Sequence, residues 1–199
     1  ELKVKADADK EQICEQTNVK LFALASGGTG NYSYQWLSQP AGFSSLNQNP
    51  NVRPTETTWY FVDVFDGNQH ARDSVLLSVS GYPSVYNVTG GGTYCLGQQG
   101  VLVGLNGSES GVRYDLFKEP GTAVIQSLVG NGRDLNFGEY TESGNYFVKA
   151  LKQNVCKQQM NGTAIIHTAQ IPKAYAGDDQ TIAYGGQVAL QASADGGSG

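Results

Sequence analysis

Few residues in this chain are suited to chemistry. It has two histidines, His70 and His167, the side chains that ordinarily serve as general bases near neutral pH. Neither stands beside a nucleophile motif. Gly-x-Ser-x-Gly, His-Glu-x-x-His and the phosphate-cradling Gly-x-x-x-x-Gly-Lys are all absent. The run Gly107-Ser108-Glu109-Ser110-Gly111 is out of phase for a nucleophile elbow and reads as a turn. The cysteines, Cys14, Cys95 and Cys156, lack the Cys-x-x-Cys spacing of a zinc site. No catalytic residue is expected, and the chain reads as non-enzymatic with no metal cofactor built from cysteine and histidine.

Composition then says what kind of scaffold positions the remaining groups. The 199 residues carry 13 Lys+Arg against 18 Asp+Glu, a formal charge of -5. An acidic, evenly spread charge excludes nucleic acid and anionic membrane as expected partners, because both reward clustered cations. No run approaches the roughly 20 apolar residues that cross a bilayer as a helix, so no direct membrane insertion is expected. Glycine is 26 of 199 residues, about double the usual share, which suits turn-rich β-structure. The chain opens Glu1-Leu2-Lys3-Val4 without Met, as expected of a portion of a longer polypeptide.

The chain contains an internal repeat. Ala6–Gly30 aligns without gaps on Tyr175–Gly199, with identities at Asp9/Asp178, Ile13/Ile182, Val19/Val188, Leu21/Leu190, Ala23/Ala192, Ala25/Ala194, Gly27/Gly196, Gly28/Gly197 and Gly30/Gly199. The shared Val-x-Leu-x-Ala-x-Ala has period two, as a half-buried strand requires. The expected organisation is a sandwich over 1–81, a second over 82–171, and the first strands of a third module over 172–199.

Strand-like segments in the first module are Val19–Ala25, Tyr32–Trp36, Thr57–Phe65 and Asp73–Val79. In the second they are Val85–Thr89, Val101–Leu105, Arg113–Phe117, Ala123–Leu128, Asp134–Phe137, Asn145–Leu151 and Thr163–Ala169. Turn residues punctuate them every 8 to 12 positions or so, which is the signature of a β-sandwich. The fold class is all-β. The expected core is Val19, Leu21, Tyr34, Trp36, Tyr60, Val62 and Val64 in one module and Val101, Val103, Tyr146 and Val148 in the other. Cys95 and Cys156 fall in one module and are expected to form a disulfide, the alternative being two buried thiols. Cys14 aligns with Ala183 and is expected to be a small buried residue.

At these residues the chain resembles a known family. Ala176-Gly177-Asp178-Asp179-Gln180-Thr181-Ile182, with Gly186-Gln187-Val188-Ala189-Leu190, resembles the opening of PKD domains, which are immunoglobulin-like sandwiches. Gly27–Trp36 and Pro54–Gly67 resemble later stretches of the same family. Trp36 is followed by Leu37-Ser38-Gln39, not by the acidic signature of many members, so the likeness is PKD-like. Gly90–Cys95, Val103–Ser108 and Leu135–Gly138 are similar to immunoglobulin-like repeats of large Bacteroidota surface proteins, including gliding-motility adhesins and other cargo of the type 9 secretion system.

The resemblance implies an inward face of Tyr60, Val62 and Val64. Trp59, Phe61 and Phe65 are then left outside, joined by Leu76 from the next strand, as an exposed apolar contact face. The alternative is that the loop Asn47–Pro54 covers it. Acidic residues at module junctions of such arrays can hold Ca²⁺, which makes Asp7, Asp9, Asp178 and Asp179 a thin candidate set against a reading as solvated loop acids. The implied function is a structural and adhesive segment of a long exported cell-surface protein. The expected partners are neighbouring modules, surface proteins or glycans. The alternative is a spacer or carbohydrate-binding module of a secreted hydrolase.

Overall fold

The computed structural model describes residues 1–196; Gly197 and Gly199, which close the internal repeat, lie outside them. The chain is all-β, with no helix among the described residues. It divides into two compact units. The first is Glu1–Ser84 with Gly111–Arg113 and Ala150–Gln158, and the second is Val85–Ser110, Tyr114–Lys149 and Gln159 onward.

The first strand set is β1 (Lys3–Ala8), β2 (Gln12–Cys14), β3 (Val19–Ser26), β4 (Ser33–Gln39), β5 (Ser44–Ser45), β6 (Asn51–Val52), β7 (Thr58–Phe65) and β8 (His70–Ser80). They form two sheets, β1-β3-β6 and β2-β8-β7-β4-β5. All pairings are antiparallel except β2 with β8, which is parallel. A sheet of the first, second and fifth strands facing one built on the third, sixth and seventh is the immunoglobulin plan. Here the first strand is split so that it pairs into both sheets.

The second set repeats that plan. It comprises β9 (Val88–Gly90), β10 (Gly92–Cys95), β11 (Val101–Leu105), β12 (Arg113–Lys118), β13 (Gln126–Val129), β14 (Leu135–Tyr140), β15 (Gly144–Lys152), β16 (Cys156–Gln159) and β17 (Ala164–Ala169). The sheets are β14-β11-β9 and β10-β17-β15-β12-β13, with β16 paired on β15 and β10 parallel to β17. Two immunoglobulin-like sandwiches therefore follow one another along the chain.

Period-two patterning carries both cores. Along β7, Thr58, Tyr60, Val62 and Val64 are buried while Trp59, Phe61 and Phe65 are exposed. Trp36 on β4 and Tyr114 on β12 hold the same place in their sandwiches, and both are wholly buried. Each spends its polar atom on backbone: Trp36 Nε1 donates to Gln48 O at 3.2 Å, and Tyr114 Oη accepts from the Glu109 N–H at 2.9 Å. Buried polar atoms left without partners would cost about 1–3 kcal/mol each. Tyr146 Oη donates to Glu142 O at 3.0 Å, a tyrosine corner at the start of β15. Of the expected core residues, Tyr34 and Val101 are only half-buried. Each sits near the end of its strand.

The Gly90-Gly91-Gly92 turn is where the chain leaves one sheet for the other, between β9 and β10. Gly90 and Gly91 have φ of 92° and 89°. A Cβ on Gly90 would collide with Leu102 O, and one on Gly91 would press on the backbone of Ile165. Only glycine fits so close an approach at positive φ.

The C-terminal copy of the repeat forms β18 (Lys173–Tyr175) and β19 (Ser193–Asp195), paired Lys173 to Asp195 and Ala174 to Ala194. Under the repeat alignment Lys173 matches Val4 and Asp195 matches Ser26. In β1–β3, however, Val4 pairs with Ala25. The copy is one residue out of register, which exchanges inward and outward faces. Every residue of both strands is exposed, so no buried face pins the register.

Candidate contact face of the first sandwich

The outward side of β4, β7 and β8 is built by register. Trp59 lies opposite Gln39 and Leu76, Phe61 opposite Leu37 and Ser74, Asp63 opposite Gln35 and Arg72, and Phe65 opposite Ser33 and His70. Trp59 and Phe61 are 43% and 45% exposed. They lie along one strand with ring centroids 6.3 Å apart and planes 27° apart. Phe65 is exposed and stacks on the His70 ring at 4.5 Å. Leu76 is half-buried against this file.

Leu37, which lies opposite Phe61, is 50% exposed and belongs to the same face. Sequence reasoning passed over it, although the inward alternation of Tyr34 and Trp36 carries the signal. The loop Asn47–Pro54 packs elsewhere. Gln48 Nε2 donates to Ala23 O, Asn49 Oδ1 accepts from the Ala23 N–H, and Pro50 O accepts from the Leu21 N–H. That ties the loop to β3 and leaves the aromatic face open.

The face has a polar centre. Asp63 Oδ2 accepts from Arg72 Nε at 2.7 Å, and Asp63 Oδ1 is 2.8 Å from His70 Nδ1. Burial pushes the Asp63 carboxyl up, but the hydrogen bonds from His70 and Arg72 and their charges together outweigh it and hold the group below the ordinary carboxylate range. Beside it runs an open groove of about 620 Å³ bordered by Gln35, Leu37, Phe61, Asp63, Arg72 and Ser74. An aromatic file next to amide, carboxylate and guanidinium groups can bury apolar surface and satisfy hydroxyl or amide partners at once.

The other candidate residues fall as follows. Asp7 accepts from Lys5 Nζ at 2.7 Å and from the Ala8 N–H, and Asp9 Oδ1 accepts from the Lys20 N–H at 3.0 Å. Asp7 is thus engaged within β1, and Asp9 with β3. Asp178 and Asp179 are exposed. Among the described residues no group of three or more His, Cys, Asp or Glu is placed to hold a metal. Ser108 is buried and donates to Arg133 O at 2.6 Å, a structural role.

The expected Cys95–Cys156 bridge is replaced by Cys14–Cys156, with Cα atoms 5.4 Å apart, and Cys95 is a free, half-buried thiol. The reason lies in the hairpin β15–β16. Ala150–Gln158 belongs to the first compact unit and Cys95 to the second. Cys156 Sγ is 3.5 Å from Ser80 O, and Ser80 is the residue that Cys14 pairs with in the β2–β8 ladder. Proximity within a module points to the wrong partner because the four residues of β16 carry too little alternation to show that they form a strand on β15.

No family model matches the chain, and no curated protein matches it. Solved structures that resemble it in shape include the three N-terminal domains of the bacteriophage RB49 highly immunogenic outer capsid protein, at 17% identity over 98% of this chain and 70% of that one, TM-score 0.42. Murine CEACAM1b matches at 12% identity over 84% and 100%, TM-score 0.47. An I-band fragment of titin matches at 12% identity over 84% and 66%, TM-score 0.47. The immunoglobulin-like description of this chain rests on its own strand order.

Proposed function

We propose that these sandwiches are a non-enzymatic structural and adhesive segment of a long exported cell-surface protein, of the kind found in Bacteroidota attachment and gliding adhesins carried by type 9 secretion. The observation that carries this reading is the open aromatic file Trp59-Phe61-Phe65 with Leu37. It is an apolar patch rimmed by polar groups on an otherwise alternating strand face, the pattern of a contact site. Tandem sandwiches of one strand plan supply reach and presentation. The Cys14–Cys156 disulfide suits an oxidising, extracellular setting.

The test is adsorption of the chain to source-cell surface proteins and glycans, compared with its Trp59→Thr/Phe61→Thr variant. Weakened binding at unchanged fold supports the contact role; unchanged binding refutes it. The second reading is a spacer or carbohydrate-binding accessory module of a secreted hydrolase, with the groove beside Asp63 and Arg72 as the place a sugar would sit. Intact mass and peptide mapping of the parent polypeptide separate the two. A chain of thousands of residues made of such repeats supports the adhesin, and a chain of ordinary enzyme length with a catalytic module supports the accessory role.

A further inference from the structure

Tension applied to a chain follows its covalent bonds. Cys14 and Cys156 are bonded at a sequence separation of 142. A pull on the two ends therefore leaves the backbone at Cys14 and rejoins it at Cys156. Residues 15–155 form a closed loop off that path. The loop holds β3 through β15 complete. With them it holds the whole aromatic face, Leu37 on β4, Trp59, Phe61 and Phe65 on β7, and Leu76 on β8.

The same bridge divides both parallel ladders of the chain. β2 pairs parallel with β8, and β10 with β17. Without a bridge, a pull on the ends drags β2 and β10 toward the N-terminus and β8 and β17 toward the C-terminus. Parallel neighbours are then drawn in opposite directions along their common axis, and the bonds of each ladder are loaded together. With the bridge, β2 and β17 lie on the covalent path, whereas β8 and β10 lie in the closed loop. One strand of each ladder takes no load from the ends, and neither ladder is sheared.

We infer that the Cys14–Cys156 bridge makes this chain a load-bearing tether, which passes tension from β2 to β16 and keeps the strands that present the Trp59 face out of the pull. The source of the tension rests on the adhesive reading above, because a segment that holds a contact is pulled from both ends. The load path rests only on the bridge and the strand order.

The bridge sets a ceiling on extension. At about 3.6 Å per residue, the segments outside it, 1–14 and 156–199, reach about 200 Å. The unbridged chain reaches about 700 Å, and a chain bridged from Cys95 to Cys156 would reach about 500 Å.

The test is single-molecule force spectroscopy on the whole chain held by its two ends and stretched until it lengthens no further. Without reductant the chain is expected to stop at about 200 Å. With dithiothreitol it is expected to reach about 700 Å, a gain of about 3.5-fold, in abrupt steps as the two ladders give way. Cys14→Ser/Cys156→Ser is expected to reach the longer limit with or without reductant, a result that holds even if the variant is unfolded. An unreduced chain that reaches about 500 or 700 Å overturns the inference, as does a double-serine chain that stops at about 200 Å. A reduced chain that lengthens without steps overturns the part assigned to the ladders. The adsorption test reads a different property: loss of binding at the Trp59 face leaves the ceiling unchanged, and a raised ceiling leaves binding at zero load unchanged.

Discussion

Cys14 and Cys95 occupy the same position in two copies of one strand plan. Cys14 ends β2 and pairs with Ser80, the last residue of β8; Cys95 ends β10 and pairs with Ala169, the last residue of β17. Only Cys14 is bonded, to Cys156. Thiol titration in denaturant without reductant is therefore expected to find one free thiol per chain, with all three titrating after reduction. Replacing Cys14 and Cys156 together with serine is expected to lower unfolding stability by about 2–5 kcal/mol, the usual cost of losing a native bridge that closes a long loop. A urea titration measures it.

Tryptophan fluorescence reads the contact face directly. Trp36 is wholly buried and Trp59 is 43% exposed, so iodide should quench only part of the emission. Trp59→Thr is expected to remove the quenchable component and leave a blue-shifted Trp36 signal. Because Trp59 points to solvent, stability should change by no more than about 0.5 kcal/mol, as for surface positions generally.

Asp66 links two turns of the first sandwich. Its carboxylate accepts from the N–H groups of Gln69, Asn68 and Thr29 at 2.7, 2.9 and 3.0 Å. Those bonds, Gln69 and Asn68 foremost, hold its carboxyl below the ordinary range against a smaller opposing effect of burial. A folded value below the unfolded one of about 3.9 means stability that is fully present above that value and lost as pH falls through the folded value. Asp66→Asn is expected to melt lower at neutral pH and to lose less on acidification than the unchanged chain. Calorimetry from about pH 6 down to about pH 2 covers the window.

Gly91 is expected to tolerate no side chain. Gly91→Ala would place a Cβ 2.8 Å from the Ile165 backbone at a φ of 89°. The expected loss exceeds about 1 kcal/mol, since a residue incompatible with its backbone costs more than the entropy it saves. Gly111→Ala, also at positive φ but with open space around its Cβ position, isolates the conformational part and should cost less.

Removing the Tyr146 hydroxyl tests the tyrosine corner. Tyr146→Phe deletes the bond to Glu142 O and keeps the buried ring, so the loss should be about 0.5–1.5 kcal/mol, the net worth of one hydrogen bond. A urea midpoint shift with unchanged slope is the expected signature.

Legibility tracked the range of the interactions involved. The long alternating strands were readable because burial on one face imposes period two within the strand itself: β7 shows it at every position from Thr58 to Val64. The exposure of Trp59, Phe61 and Phe65 followed from the same parity. The short strands β1, β2, β5, β6, β10 and β16 were not readable. Two to six residues hold too few periods, and pairing with distant partners, not their own pattern, makes them strands.

The sequence by itself determined the all-β class, the turn positions and the side of each long strand that packs inward, because these follow from local alternation and from glycine and asparagine conformations. Tertiary structure alone decided which sulfur meets Cys156 and where the loop Asn47–Pro54 packs. Those depend on groups far apart in the chain. Cys14 and Cys156 are separated by 142 residues, and no periodicity along the chain encodes so distant a meeting.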